Sequence, residues 1–401
     1  MSSLVSWQER YEHSLLPVFG TPPVLVVRGL GCHVWDSEGR RLLDMQGGIA
    51  VNALGHAHPD LVSAIAEQAA TLIHDSNLVA SEPQIELAEA LIRITGGDPA
   101  TRVFFANSGT EANEAAFKLA RRNAGSSGER RRILALEHSF HGRTMGSLAM
   151  TAKEVLRRPF EPMPAGVEFI PPTVEALDAA IGPDVAAVIA EPIRGEAGVL
   201  PLPEGFLAHA RRVTDAVGAL LIVDEVQTGM GRTGDWFAYQ DSGIIPDAMT
   251  LAKGLAGGVP IGALVTFGRA SSLLQRGDHG STFGGNALAT RAAGTVIRVI
   301  ERDGLIDNVR KQSAALREEI PDAFGSLGAE VRGRGLMLGV RLNRPCTADI
   351  VSAGITHGLL LNATDASTLR LVPPLVFSDD DRAELIAGLR ALVAEWEENH
   401  E

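Results

Sequence analysis

Gly218-Ala219-Leu220-Leu221-Ile222-Val223-Asp224-Glu225-Val226-Gln227-Thr228-Gly229 is the stretch on which the fold turns. Its apolar run has no polar alternation, so both faces of the strand are buried, the habit of a parallel sheet covered by helices. The carboxylate that ends the run lands at the carboxyl edge of the sheet, where ligands bind in open α/β folds. Asp224 is equally suited there to cap a neighbouring helix or to hold magnesium.

The same texture repeats on either side. Arg102–Ala106, Arg132–Leu136, Val167–Ile170, Ala186–Ala190, Ala219–Asp224, Asp247–Leu251 and Ile261–Phe267 read as strands, alternating with helical patterns such as Gly205–Val217. An α/β fold follows, with a mostly parallel seven-stranded sheet covered by helices on both faces. Only Ala252–Pro260 separates the last two strands. That is too short for a crossover, so the last strand is predicted to run antiparallel.

Before this region, Val24-Leu25-Val26-Val27 and Val34-Trp35-Asp36, with the turn Asp36-Ser37-Glu38-Gly39, predict a small antiparallel meander. After Gly284-Gly285-Asn286 a long helix begins. It leads to a polar helix near Asp307–Glu319, the apolar runs at Gly335–Val340 and Leu369–Pro374, and a terminal helix from Asp379. The expected organisation is an N-terminal segment (1–55), a large α/β domain (56–290) and a C-terminal α+β domain (291–401), the two end segments making a small domain.

The 401 residues carry 36 basic and 49 acidic side chains, a net charge of −13, with 45% apolar and 21% charged residues. That composition suits a chain with a sizeable core and excludes disorder and fibrous repeats. The acidic balance, with Glu129-Arg130-Arg131-Arg132 as its one basic run, argues against nucleic acid or anionic membrane as a partner. No apolar stretch approaches the length of a membrane span, and Trp7-Gln8-Glu9-Arg10 does not belong to a signal peptide; a cytoplasmic location is expected. Cys32 and Cys346 have no C-x-x-C spacing and read as packing residues. His56-x-His58 and His138-x-x-His141 lack a third ligand nearby, so they read as turn histidines and no metal site is expected.

Thirty-two of the basic residues are arginines, leaving Lys118, Lys153, Lys253 and Lys311. Three have polar neighbours and are expected to be solvated. Lys253 lies between Thr250-Leu251-Ala252 and Gly254-Leu255-Ala256-Gly257-Gly258, with no charge nearby. Ser108-x-x-Glu111 is a capping box opening an Ala-rich helix, either an ordinary cap or a phosphate cradle. Gly229-Met230-Gly231-Arg232-Thr233-Gly234 matches G-x-G-x-x-G but opens no clear helix, so it is discounted as a dinucleotide loop.

One cofactor explains a phosphate cradle, a buried Asp at a strand end and a lysine in an apolar setting together. Pyridoxal 5'-phosphate (PLP) needs an amine of lowered pKa to condense with its aldehyde, a carboxylate to keep its pyridine nitrogen protonated, and a helix N-terminus for its phosphate.

From Pro17 to Phe377 the sequence resembles the class III aminotransferases of PLP fold type I, in particular the N-acetylornithine aminotransferases. The resemblance lies in Gly47–Asn52, Gly55-His56-Ala57-His58-Pro59, Asn107–Phe117, Ser139–Thr144, Asp224–Gly229, Leu251–Gly254 and His279–Asn286. It implies that Lys253 bonds to the cofactor, that Asp224 pairs with the ring nitrogen and that Gln227 binds the phenolic oxygen. Val226 and Phe140 would enclose the ring, and Ser108, Gly109 and Thr110 would hold the phosphate. Thr282 of a second subunit would complete that phosphate site, hence a homodimer. Arg143 and Ser281 would engage acetylornithine, and Arg370 the α-carboxylate of glutamate or 2-oxoglutarate, with Glu196 pairing Arg370 when the other substrate is bound.

The implied reaction moves the terminal amino group of N-acetyl-L-ornithine to 2-oxoglutarate, giving N-acetyl-L-glutamate 5-semialdehyde and L-glutamate, a step of arginine biosynthesis. Ornithine, 4-aminobutyrate, succinylornithine or a diamine are the alternative donors. The 279–286 motif is less like the 4-aminobutyrate branch, and the lack of a Tyr near Gly48 weighs against free ornithine. A non-catalytic binding protein of this fold is the remaining alternative, against which the intact Lys253 and Asp224 speak. The family usually has Gln at Arg194, Gly at Ala197 and an aromatic at Val79; these departures bear on substrate choice and leave the cofactor set untouched.

Overall fold

Apolar runs bounded by turn residues become the strands of the computed structural model, which describes residues 5–125 and 128–400. Near the N-terminus β1 (Val26–Leu30), β2 (His33–Asp36) and β3 (Arg41–Asp44) form the expected meander. The central region contributes β4 (Arg102–Ala106), β5 (Arg132–Leu136), β6 (Val167–Ile170) and β7 (Val185–Ala190). A short hairpin of two-residue strands, β8 (Ile193–Arg194) with β9 (Leu200–Pro201), then precedes β10 (Leu220–Asp224), β11 (Ala248–Leu251) and β12 (Gly262–Thr266). Toward the C-terminus lie β13 (Ala329–Arg334), β14 (Met337–Leu342), β15 (Leu359–Leu360), β16 (Asn362–Asp365) and β17 (Thr368–Leu371).

The central sheet has the order β4-β12-β11-β10-β7-β5-β6. Only β12 is reversed, pairing antiparallel with both β11 and β4, as the short Ala252–Pro260 connection requires. Successive residues of a strand point to opposite faces. Leu220 and Ile222 therefore pack on the face covered by the Gly109–Arg122 helix, whereas Leu221 and Val223 join the larger core with the Phe206–Val217 and Ala287–Arg302 helices. Every residue of β7, β10, β11 and β12 is buried, which explains their unalternated sequences.

The end segments are joined to each other. β15 extends the N-terminal meander by pairing in parallel with β3, Leu43 opposite Leu359 and Asp44 opposite Leu360. The polar helix is longer than its pattern suggests, Leu305–Ala323, and it continues through Pro321. The glycine-rich 229–234 segment forms turns, and buried Arg232 within it donates to the Leu336 and Pro373 carbonyls, a structural clamp. Among the described residues, no helix is long and apolar enough to cross a membrane. Both cysteines are buried.

Candidate active site

Asp224 closes β10 and Glu191 follows β7, the strand beside it. Val223 and Ala190 are register partners, so the next residue on each strand brings a carboxylate to the same edge of the sheet. Asp224 is 3% exposed and saturated with donors. Its Oδ2 lies 2.7 Å from His141 Nδ1 and accepts from Asn113 Nδ2 at 2.8 Å, while its Oδ1 accepts from Val226 N–H at 3.0 Å and Thr250 Oγ1 at 3.1 Å. Burial alone would raise the Asp224 pKa; the His141 contact, the Val226 amide and Asn113 outweigh it and hold the carboxyl below the usual range. His141 thus backs the strand-end carboxylate, which corrects its reading as a turn histidine. Thr250 and Asn113 were also missed. Asn113 lies one turn along the helix that Ser108 caps, the only sequence signal that could have pointed to it.

Ser108 caps the Gly109–Arg122 helix, its Oγ accepting the Glu111 N–H at 3.3 Å. Glu111 reaches back to the Asn107 N–H rather than to that of Ser108. Among the described residues, the N–H groups of Gly109 and Thr110 have no hydrogen-bond partner, so the positive end of the helix is open. The Thr110 hydroxyl is fixed by Thr144 Oγ1 at 3.0 Å and Ser147 Oγ at 2.7 Å, and it accepts the Arg143 N–H at 2.9 Å. A Cβ on Gly109 would stand 2.8 Å from Val226 Cγ1, so only glycine keeps this approach clear.

Lys253 follows β11 with φ +42°, a left-handed conformation that a side chain adopts at a cost and that clusters at functional sites. Burial lowers its pKa and the Arg370 charge adds to this, while Glu196, Glu191 and Asp224 pull the other way. Lys253, Asp224, Ser108–Thr110, Phe140, Arg143, Val226 and Gln227 line one cavity of about 360 Å³, with His141, Asn113 and Glu191 in its wall. Of the other lysines, Lys153 is exposed and Lys311 pairs with Asp379 at 2.6 Å. Lys118 corrects its reading as solvated: it is half-buried, donates to the Asp278 carbonyl and lies 3.2 Å from His279 Nδ1.

Arg370, on β17, is buried and paired with Glu196; Asn362 Oδ1 receives its Nε at 3.1 Å and its Nη2 at 2.9 Å. Arg143 is exposed at the cavity, its guanidinium 5.8 Å from the Phe140 ring centroid. Ser281 and Thr282 lie outside this cavity. Ser281 Oγ accepts from Asn107 Nδ2 at 3.2 Å and from the Gly284 N–H at 2.9 Å, and Thr282 is exposed. Arg194 is buried away from the cavity against the Glu137 carbonyl, at 3.2 Å. Ala197 borders a separate pocket of about 250 Å³, and Val79 is exposed.

A family model described as aminotransferase class-III matches residues 18–393. The chain belongs to this family. Among class III aminotransferases it is 48% identical to the acetylornithine aminotransferase of Corynebacterium efficiens, over 98% of this chain and 97% of that one. It is 47% identical to the acetylornithine aminotransferase of Mycobacterium leprae, over 98% and 96%. Among solved structures, ornithine aminotransferase from Toxoplasma gondii superposes with a TM-score of 0.92 at 30% identity, covering 99% of this chain and 97% of that one. N-acetylornithine aminotransferase from Stenotrophomonas maltophilia gives 0.82 at 38%, covering 95% and 98%. A further Toxoplasma gondii ornithine aminotransferase structure, described with partial occupancy of PLP at its active site, gives 0.89 at 30%, covering 97% and 94%.

The residues present in this class III aminotransferase fit PLP. The open N–H groups at Gly109 and Thr110 suit a phosphate, Asp224 is held ionised for a cationic ring nitrogen, and a single lysine of lowered pKa shares the cavity.

Proposed function

We propose that the chain uses PLP to move the terminal amino group of N-acetyl-L-ornithine to 2-oxoglutarate, giving N-acetyl-L-glutamate 5-semialdehyde and L-glutamate. The observation that carries this reading is the meeting of the Lys253 amine, the Asp224 carboxylate and the open end of the Gly109–Arg122 helix in one cavity. Bound there, PLP supplies an aldehyde that takes up amines and a ring that accepts an electron pair from the substrate carbon. The identities with acetylornithine aminotransferases support the choice of donor.

In this reading Gly109, Thr110 and the Ser108 hydroxyl bind the phosphate. Asp224 holds a proton at the ring nitrogen, and it remains ionised for that task because four donors converge on it. Val226 and Phe140 enclose the ring, and Gln227 donates to the phenolic oxygen. Lys253 Nζ, whose burial weakens its hold on a proton, takes one from the substrate carbon and returns it.

The two substrates present different carboxylates. The donor reacts at the end remote from its α-carboxylate, whereas glutamate reacts at its α-carbon. A near and a far arginine are needed, and Arg370 and Arg143 take these parts, with Ser281, which like Thr282 lies outside its own cavity, assisting the far one from a second copy. Glu196 occupies Arg370 while the donor is bound and releases it to 2-oxoglutarate.

Thr282, outside its own cavity, serves the phosphate site of a second copy in a cytoplasmic homodimer. Leu16, Phe19 and Leu78, 81, 90 and 95% exposed, support such a contact. The test is a screen of N-acetylornithine, ornithine, 4-aminobutyrate, N-succinylornithine and putrescine against 2-oxoglutarate, reading glutamate formed. N-acetylornithine is expected to give the highest kcat/KM; a higher value for another donor overturns the assignment.

A further inference from the structure

Asp224 and Glu191 stand side by side at the ends of adjacent, register-paired strands, both buried. Two carboxylates so placed in a low-dielectric wall do not both ionise, and hydrogen bonds decide which one keeps the proton. Asp224 receives four donors. Glu191 receives one, the Phe140 N–H on Oε1 at 2.8 Å; its Oε2 has no hydrogen-bond partner among the described residues. Resting on the PLP reading above, we infer that Glu191 is a positioning carboxyl in the wall of this site: it keeps a proton while Asp224 is ionised, fixes Phe140 through the backbone, and turns its free oxygen toward the cavity that Lys253 lines.

The groups facing Glu191 fit this state. His141 comes from the loop after β5, Asp224 from β10, Lys253 from the turn after β11 and Arg194 from β8. Burial is the largest influence and pushes Glu191 up to about 7; Asp224 adds to it, while His141, the Phe140 N–H and Lys253 oppose it. A neutral carboxyl leaves the Lys253 amine without a second strong counter-ion, which favours its unprotonated, reactive form. Ionisation above neutrality supplies that counter-ion. Glu191 therefore acts through Lys253 and Phe140, as a positioning residue.

The test compares wild-type holoenzyme with Glu191→Gln, whose amide mimics a neutral carboxyl at every pH. PLP binding to wild type is established first; failure there sinks the PLP reading itself. Two readouts follow across the pH range: the absorbance of bound PLP without donor, and kcat/KM with the best donor of the screen. We expect wild type to show in both an ionisation raised well above the ordinary carboxylate range, the direction that burial and Asp224 impose on Glu191, and Glu191→Gln to lose it and stay in the low-pH form. Glu225 titrates in the same range, so of the infrared carboxyl bands found there one should vanish in Glu191→Gln and persist in Glu225→Gln, and the other should do the reverse. A variant that retains the wild-type ionisation overturns the inference, because Glu191 is then only a tether for Phe140. A loss of about a hundredfold at every pH also overturns it, since the carboxylate would then be the working form.

Discussion

Asp224→Asn is the substitution whose cost follows most directly from the geometry. The Val226 amide can only donate, so the oxygen of the new side chain stays on the Val226 and Thr250 side, and its NH2 group faces His141 Nδ1 and Asn113 Nδ2. His141 answers by moving its proton to Nε2, which has no partner in the parent, and Asn113 by turning its amide, whose oxygen is likewise unpaired, at the cost of the bond that its Nδ2 makes to the His141 carbonyl at 2.8 Å. All four bonds to the ionised carboxylate are charge-assisted, worth about 1.5–3 kcal/mol each, and become neutral ones worth about 0.5–1.5; the gross loss is roughly 4–6 kcal/mol, of which relief of the buried charge returns about half, leaving roughly 2–3 kcal/mol. Urea unfolding of the cofactor-free protein at fixed concentration measures it as a lowered midpoint with an unchanged slope. Turnover should fall by more than cofactor affinity, because the phosphate cradle is intact while the ring nitrogen has lost its carboxylate. A stability loss under about 0.5 kcal/mol with near-normal turnover would refute the reasoning, since a charge-assisted network cannot be removed so lightly.

Borohydride reduction of the PLP-loaded protein followed by peptide mapping should tag Lys253 alone; label on Lys118, Lys153 or Lys311 would move the assignment. In single-turnover measurements, Arg143→Ala should chiefly weaken the acetylornithine half-reaction and Arg370→Ala the glutamate half-reaction, each by about 1.5–3 kcal/mol. Equal damage to both halves by both variants would end that division of labour. Glu225 is buried, with a pKa pushed from 4.5 to about 7. A carboxyl raised in the folded state supports stability below its unfolded pKa and loses that support as pH rises through the folded one. Glu225→Gln should therefore gain on wild type between pH 4.5 and about 7, by an amount on the order of 3 kcal/mol, in denaturation midpoints taken across that range.

The central sheet was legible because strands buried on both faces are written as unbroken apolar runs, and their ends fall within a residue or so of the turn signals. The reversal of β12 followed from loop length alone. Lys253 stood out because lysine is rare in this chain, and Asp224 because it ends such a run. What remained hidden are contacts between distant positions. Nothing local to His141 announces that it will meet a carboxylate 83 residues later, and Asn113 looks like any polar residue of an amphipathic helix. Glu191 gains its meaning only from the pairing of β7 with β10. Lys118 looked solvated because its partners, at Asp278 and His279, are 160 and 161 residues away.

The pairing of β3 with β15 has a consequence for synthesis. Leu43 and Asp44 leave the ribosome early, yet their partners Leu359 and Leu360 come near the end. Roughly 300 residues at about 5–20 per second leave that strand edge bare for on the order of 15–60 s. During this interval the β3 edge of the nascent meander offers open backbone groups to any passing chain. A stall or truncation before Leu359 makes the exposure permanent, so premature products should be found with chaperones or in aggregates even when the whole central sheet has been translated.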